Sequence, residues 1–485
     1  MSNTRTNYLY SVIYRLSICI LPLIVTPFIS RTLGAQGNGL YAFSSTVACY
    51  FIMFSKLGLE SYGNRSIAFC LNDEERKRKT FWSIYSIQVT TSLISCALYI
   101  VLVELAFPEN ILIYRLQFLY VLSALFDVSW FFFGIERFRL TTVRSLLTRL
   151  LIIIGTFLFV RTSEDVPAYT LVMSACFLLE QLILFPFVFR HARPIRVSWA
   201  EIRPHLLPNL KLFVPLLALS VYNWMDKLML GIVSGKDEVA YYAYAESINN
   251  LPKGIVLALG TVMLPQMSRL AVEKKLSAFR QTLKGAMTFI CFVCCMMCFG
   301  IAGVSQVFVP LFLGEGYEPS IALTVYLAFV MIPMSLTDVL QSAYLVPMEL
   351  DRIYIRSVAL GAFVNLALNA LFIPPLAALG AVLGTIGAAL AVFFYQMSRI
   401  RGIYTLKEAW GSLWPFLICG AAEFAATYSL GRLGMGPLPL LLIQLAAGGG
   451  VYLGMTFVLS RTCRKDLRSL FVFFQPGSAQ GGTPS

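Results

Sequence analysis

Long apolar runs recur from one end of the chain to the other, separated by short polar breaks that carry most of the charge. Runs of roughly 18 residues or more predict membrane-spanning helices, because a hydrocarbon core about 30 Å thick takes about 20 residues to cross. Water is absent there, so backbone groups must bond within their own segment and the spans must be helical. The breaks predict spans near 8–30, 40–63, 81–107, 112–134, 146–161 and 168–189. After a longer polar linker come 211–233, 243–267, 285–312, 320–346, 355–374, 379–398, 411–432 and 438–460. The expected fold class is an all-α integral membrane protein with about fourteen transmembrane helices. The first run carries Arg15, Pro22 and Pro27 and has no Ala-x-Ala site before Gly34, so it reads as a span rather than a cleaved signal.

The breaks alternate in charge. One set holds Arg65 and Arg76–Lys79; Arg137, Arg139 and Arg144; Arg190, Arg193, Arg196, Arg203 and Lys211; and Arg269, Lys274, Lys275, Arg280 and Lys284. It continues through Arg352 and Arg356, Arg399, Arg401 and Lys407, and Arg461, Arg464, Lys465 and Arg468. The opposite set holds only Arg31, Arg115, Arg161, Lys236 and Arg432. Lys and Arg accumulate on the cytoplasmic side of short loops. The alternation therefore predicts a multi-pass membrane protein with both termini cytoplasmic. The net charge of +13 is then a topology signal. Nucleic-acid binding is not expected, because the charges are spread over separate short loops. The segment Arg464–Phe474 could lie at the interface, and the polar tail beyond Gln475 has a disordered composition.

Composition agrees with the pattern: 58% of residues are hydrophobic and 13% charged, against roughly 25% charged in a soluble domain. The eleven cysteines fall mostly inside apolar runs, where Cys behaves as a small hydrophobe. Cys291, Cys294, Cys295 and Cys298 imitate a metal-binding spacing but lie mid-span with no histidine near, so packing is expected and no metal. No GxxxxGK[ST] occurs, which excludes a fused nucleotide motor, and no cofactor is implied. The two histidines, His191 and His205, lie in the linker, and the outer loops are too short for a catalytic constellation. Transport is expected rather than catalysis.

The two halves echo each other. Asn7 opens a span ending Ser30-Arg31-Thr32-Leu33-Gly34, and the next begins Tyr41-Ala42-Phe43-Ser44 and ends at Arg65. Asn209 opens a span ending Asp226-Lys227-Leu228-Met229-Leu230-Gly231, and its neighbour begins Tyr242-Ala243-Tyr244-Ala245 and ends at Arg269. Both copies start on the same side, a parallel repeat of the kind transporters place around a central pathway.

Ionisable groups at bilayer depth cost several kcal/mol or more and mark pathways. The first half has Arg15, Lys56, Glu60, Glu104, Asp127 and Glu180; the second has Asp226, Lys227, Glu246, Lys253, Asp338 and Glu423. Lys56, Glu60 and Glu104 stand near span ends, where they can also snorkel. Glu246, Asn250 and Lys253 share one helix face at i, i+4 and i+7, and Pro252 frees a carbonyl beside them. Asp127, Glu180, Asp226, Glu246 and Asp338 are the carboxylates able to exchange a proton or hold a cation at depth, or else to pair with the intramembrane cations.

The run from Ser30 to Gly34 through Gly37-x-Gly39-Leu40-Tyr41, the later Gly58 to Arg65, and Asp226-Lys227 to Tyr242 resemble Wzx-type polysaccharide flippases. These belong to the multidrug/oligosaccharidyl-lipid/polysaccharide exporter superfamily. The resemblance implies an N-terminal six-helix lobe at 1–190, a cytoplasmic linker at 191–210 and a second six-helix lobe at 211–400. The lobes would form a V around a central, often cationic cavity, with an extra helix pair at 401–462 and a tail at 463–485. It also implies an undecaprenyl-diphosphate-linked glycan as substrate, moved by alternating access for cell-surface polysaccharide synthesis. Membrane lipids and a polysaccharide polymerase with chain-length machinery are the other implied partners. Arg15, Arg31, Lys56, Lys227 and Lys253, with Asn250, are then the candidate substrate-binding residues, because cations suit diphosphate oxygens. The alternatives are an ion-coupled exporter of small molecules like the MATE transporters and, less so, a membrane polymerase or ligase.

Overall fold

The protein is described by a computed structural model covering the backbone of residues 4–400 and 402–459, with side chains from 21 onward apart from 222, 251, 255–258, 261, 262 and 459. Among the described residues it is helical throughout, with no strand. The order is α1 (Thr4–Lys56), α2 (Leu59–Ala68), α3 (Glu74–Ala106), α4 (Ile111–Phe126), α5 (Ser129–Gly134), α6 (Phe138–Phe159) and α7 (Val166–His191). Then come α8 (Trp199–Val233), α9 (Lys236–Val272), α10 (Leu276–Leu313), α11 (Glu318–Leu340), a π turn (Gln341–Leu345), α12 (Asp351–Arg399), α13 (Leu406–Leu430) and α14 (Pro437–Leu459). Eleven of the described helices are long and apolar enough to cross a membrane. The chain is a multi-pass membrane protein. The segment Arg464–Phe474 and the tail lie outside the described residues, as does the side chain of Arg15.

Two of the long helices are each a pair of limbs joined at a kink. In α1 the break is Gly34 (φ 65, ψ −178), and in α12 it is Ala377 (φ 49, ψ −127) just after Pro374 and Pro375. Each falls in a gap between expected spans. The chain turns there without a loop because a single residue leaves the helical region. Helix starts are set by local chemistry. Asp73 caps α3, its carboxylate accepting from Arg76 N at 2.9 Å. Thr405 and Glu408 close a reciprocal box at the start of α13, with Thr405 N donating to Glu408 Oε2 at 2.9 Å and Glu408 N to Thr405 Oγ1 at 3.3 Å.

The chain divides into two compact units, Met1–Ala240 and Tyr241–Ser485. In the first unit, the core joins Leu59, Phe81, Trp130, Phe131, Phe132 and Leu184. In the second, Cys291, Cys294, Cys295 and Cys298 of α10 pack with Met267, Tyr344, Cys419 and Tyr452, so those cysteines fill a core. The outward faces of the helices are apolar, and polar side chains are found among the buried ones. On α3 the buried face carries Ser83, Gln88, Ser92 and Ser95, while Leu93, Ile94, Leu98, Val101 and Leu105 face outward. Lipid accepts that apolar face at no cost, and the polar face finds partners only inside the bundle.

Candidate functional site

In the first unit the Gly-rich motif of α1 meets the end of α8. Gly34 occupies the left-handed region, which a residue with no Cβ adopts without strain. The Asn38 amide spans the kink, Nδ2 donating to the carbonyls of Ile29 at 3.0 Å and Gly34 at 2.7 Å. It thereby bonds carbonyls at a break in the helical ladder. Beyond the kink the second limb packs so closely that a Cβ on Gly39 would lie 1.7 Å from the Lys236 carbonyl oxygen. A Cβ on Gly231 would lie 2.0 Å from the Phe43 ring. Lys236 closes the corner: Nζ donates to the Gly231 carbonyl at 2.8 Å and stands 3.2 Å from the centroid of the Phe43 ring. Burial pushes the Lys236 ammonium down to about 8. Each motif thus offers a bare glycine where the other offers a ring or a carbonyl.

Deeper along the same limb Tyr50 packs edge-on against Trp224 with ring centroids 5.6 Å apart, and its hydroxyl donates to the Ser220 carbonyl at 3.4 Å. Asp226 is buried and within electrostatic reach of Tyr50, and Lys227 is within reach of Cys49. Arg31 donates from Nη1 to the Pro27 carbonyl at 3.1 Å, so its side chain folds back along its own helix.

Further into this unit the expected charges join a continuous polar chain. Lys56 Nζ meets Asp127 Oδ2 at 2.5 Å. Asp127 interrupts the helix between α4 and α5, and Oδ1 accepts from Ser129 N at 3.0 Å. Gln88 holds the freed carbonyls, Nε2 donating to Ala124 O at 2.7 Å and Asp127 O at 2.8 Å, while Trp130 Nε1 donates to its Oε1 at 3.0 Å. Across the break, both terminal nitrogens of Arg144 donate to Ser129 Oγ at 3.3 Å. Arg144 also reaches Gln181 Oε1 at 3.0 Å and Glu180 Oε1 at 3.2 Å, and Ser145 Oγ donates to the same carboxylate oxygen at 2.5 Å. Asp127 and Glu180 are therefore each seated on a base.

Arg144 was expected in a loop of the basic set. In the structure α6 begins at Phe138 rather than near 146, so Arg144 falls within the helix and only 5% of its surface is exposed. Counting Arg in a polar break cannot separate a solvated from a buried guanidinium. The signal was the periodic polar stripe Thr141, Arg144, Ser145, Thr148 and Thr156, all buried, which shows a face turned inward. Gln88 and Ser129 were likewise not singled out.

In the second unit Glu246 is half-buried, Asn250 exposed and Lys253 half-buried along α9. The deeply buried amide of that helix is the neighbouring Asn249, whose Nδ2 donates to Ala245 O at 2.9 Å and Thr324 O at 3.1 Å. Asp338 of α11 lies within electrostatic reach of Lys253. Asp226, Lys227, Glu246 and Lys253 are all engaged in hydrogen-bonding or electrostatic contacts. Arg31, Lys56 and Lys227 thus belong to one unit, and Asn250 and Lys253 to the other.

A sequence model of the family described as "Polysaccharide biosynthesis protein" matches residues 5–271, more than half of the chain. Two relatives are described as O-antigen transporters. One, from Escherichia coli (strain K12), is 24% identical over 348 residues, covering 69% of this chain and 81% of the relative. The other, from Shigella dysenteriae, is 22% identical over 357 residues, covering 72% and 87%. Among solved structures, the lipid II flippase MurJ in an inward closed conformation superposes with a TM-score of 0.75 at 17% identity, covering 96% of this chain and all of that one. An inward-facing multidrug resistance MATE transporter of the MOP superfamily superposes at 0.58 and 15% identity, covering 81% and 98%. The fold is that of these transporters.

Proposed function

The chain belongs to the polysaccharide biosynthesis protein family, as a Wzx-type member of the multidrug/oligosaccharidyl-lipid/polysaccharide superfamily, and from that premise we propose that it flips an undecaprenyl-diphosphate-linked oligosaccharide across the cytoplasmic membrane. It is a transporter and not an enzyme. The observation that carries the reading is the match of residues 5–271 to a polysaccharide-biosynthesis family, joined to a flippase fold that covers 96% of the chain. The glycan moves by alternating access for cell-surface polysaccharide synthesis, and a polymerase with chain-length machinery takes it up on the outer side.

The same proposal holds fourteen spans, as two six-helix lobes and a C-terminal pair with both ends cytoplasmic. Support comes from the kinks. Eleven helices qualify as spans, two of those are kinked pairs of limbs at Gly34 and Ala377, and α9 adds a further long helix of 37 residues. Substrate contact is assigned to Arg15, Arg31 and Lys227 and, in the second unit, to Asn250 and Lys253, because a diphosphate needs donors and positive charge. Lys56 contributes less, since Asp127 already takes its charge at 2.5 Å. Ion coupling is assigned to the carboxylates Asp127, Glu180, Asp226, Glu246 and Asp338, of which Asp127 and Glu180 hold Lys56 and Arg144. Export of small cations, the rival reading, loses support because those two carboxylates hold bases.

Arg31→Ala, Lys227→Ala and Lys253→Ala test the assignment in cells. Each variant should be folded and abundant in the membrane yet fail to export glycan, with the lipid-linked unit accumulating. Normal export by all three defeats the cationic site. Lowered abundance, rescued by neutralising Asp226 or Glu246, assigns the cations to the scaffold instead.

A further inference from the structure

Within the second unit, α9, α10, α13 and α14 line an open cavity of about 520 Å³. Its wall is almost wholly apolar, with Ile248, Met296, Ile301, Phe308, Leu441 and Leu445, and three polar side chains reach it: Glu423, Thr427 and Gln444. A volume of that size lies in the range of drug-sized ligand sites.

The polar groups are of one kind. Thr427 spends its hydroxyl on the carbonyls of Glu423 at 2.9 Å and Phe424 at 3.0 Å. Gln444 donates from Nε2 to the Thr427 carbonyl at 2.8 Å. Only a donor satisfies that carbonyl, so the amide orientation is fixed and Oε1 is the atom left over. Gln444 Oε1 and Glu423 Oε2 are both buried without a hydrogen-bond partner. Glu423 is 4% exposed, and no basic side chain among the described residues forms an ion pair with it. Space for the carboxyl is built in. A Cβ on Gly300 of α10 would lie 3.0 Å from Glu423 Oε1, and one on Gly448 of α14 would press to 2.5 Å on Thr427 Cγ2. With Glu423 ionised, the cavity offers two acceptors, one of them a carboxylate, and no unspent donor, inside an apolar wall. An unpaired buried carboxyl is costly unless a donor or positive charge meets it.

We propose that this cavity binds a lipophilic amine, its ammonium held by Glu423 and Gln444 Oε1 and its apolar body against Met296, Phe308 and Leu441. The test reads binding rather than flipping. The full chain in nanodiscs is titrated with radiolabelled 3,3-diphenylpropylamine and with 1,1-diphenylbutane, in which a methyl replaces the amino group. Saturable binding of the amine is expected, at least tenfold tighter than the hydrocarbon. Glu423→Gln, which keeps the shape, should weaken the amine at least tenfold and leave the hydrocarbon unchanged. Gly449→Leu, at a lining position with nothing within 4 Å of an added Cβ, should fill the space and abolish saturable binding while the melting temperature holds. It also decides the matter if Glu423→Gln does not fold. Equal binding of the two compounds, no saturable amine binding, or undiminished binding in either folded variant overturns the proposal.

Discussion

The two units treat a carboxyl buried in the membrane in opposite ways. In the first, Asp127 meets Lys56 at 2.5 Å and Glu180 meets Arg144 at 3.2 Å, with Ser129 bonded to both ends of the chain they form. In the second, Glu423 sits in an apolar cavity with no base among the described residues. A carboxylate paired with a base behaves as a strut, and this pair of struts ties α1, the α4–α5 break, α6 and α7 together. An unpaired one is a vacancy for a donor. The lesson is that intramembrane charge by itself does not locate a pathway: the partner decides whether the group supports the fold or waits for cargo.

The comparison breaks most visibly at Arg144. Arg144→Met leaves Glu180 buried without its base and should cost about 3–5 kcal/mol, seen as a large drop in melting temperature and membrane abundance. Adding Glu180→Gln should recover most of the loss. Next comes Gly39→Ala, where the new methyl collides with the Lys236 carbonyl and overpacks the corner. About 1–3 kcal/mol of destabilisation is expected, and Gly449→Ala, with free space around it, should move the melting temperature far less. Glu423→Gln should shift stability far less than Arg144→Met, because no base is stranded. A loss as large as that of Arg144→Met refutes the contrast between the units.

The smallest effect is the titration of Lys236. An exposed lysine loses its proton near 10.4, and burial brings this one to about 8. The packed corner therefore holds the proton less tightly than any state that exposes the amine. Its penalty is fully present below about pH 8 and is relieved as pH rises from there towards 10.4. Acylation of Lys236 in the purified protein, which follows the neutral amine, should show a midpoint near 8. A midpoint near 10.4 contradicts the packed corner.

Much of this was legible in the hydropathy of the chain. The apolar runs marked the chain as a helical multi-pass membrane protein, because lipid demands a long unbroken signal, and the Gly34 and Asp226 motifs carried the resemblance to the family. The meaning of the glycines was not legible. Gly39 and Gly231 matter through a carbonyl and a ring nearly two hundred residues away in sequence, and spacing alone does not report such an approach. Arg144 was missed because a helix that begins eight residues earlier turns a loop charge into a core charge. Glu423 was visible as an intramembrane acid, yet only the satisfied hydrogen bonds of Thr427 and Gln444 reveal that its cavity lacks donors.

The central claim is that the chain carries a lipid-linked oligosaccharide from one leaflet to the other. Proteoliposomes holding the purified protein and a fluorescent undecaprenyl-diphosphate oligosaccharide test it directly, with a membrane-impermeant quencher reporting the outer leaflet. The account predicts that the protected fraction falls with time in wild-type vesicles and stays constant in protein-free vesicles and in the folded Lys227→Ala variant. Protection that persists in wild-type vesicles, with active protein verified by export in cells, contradicts it.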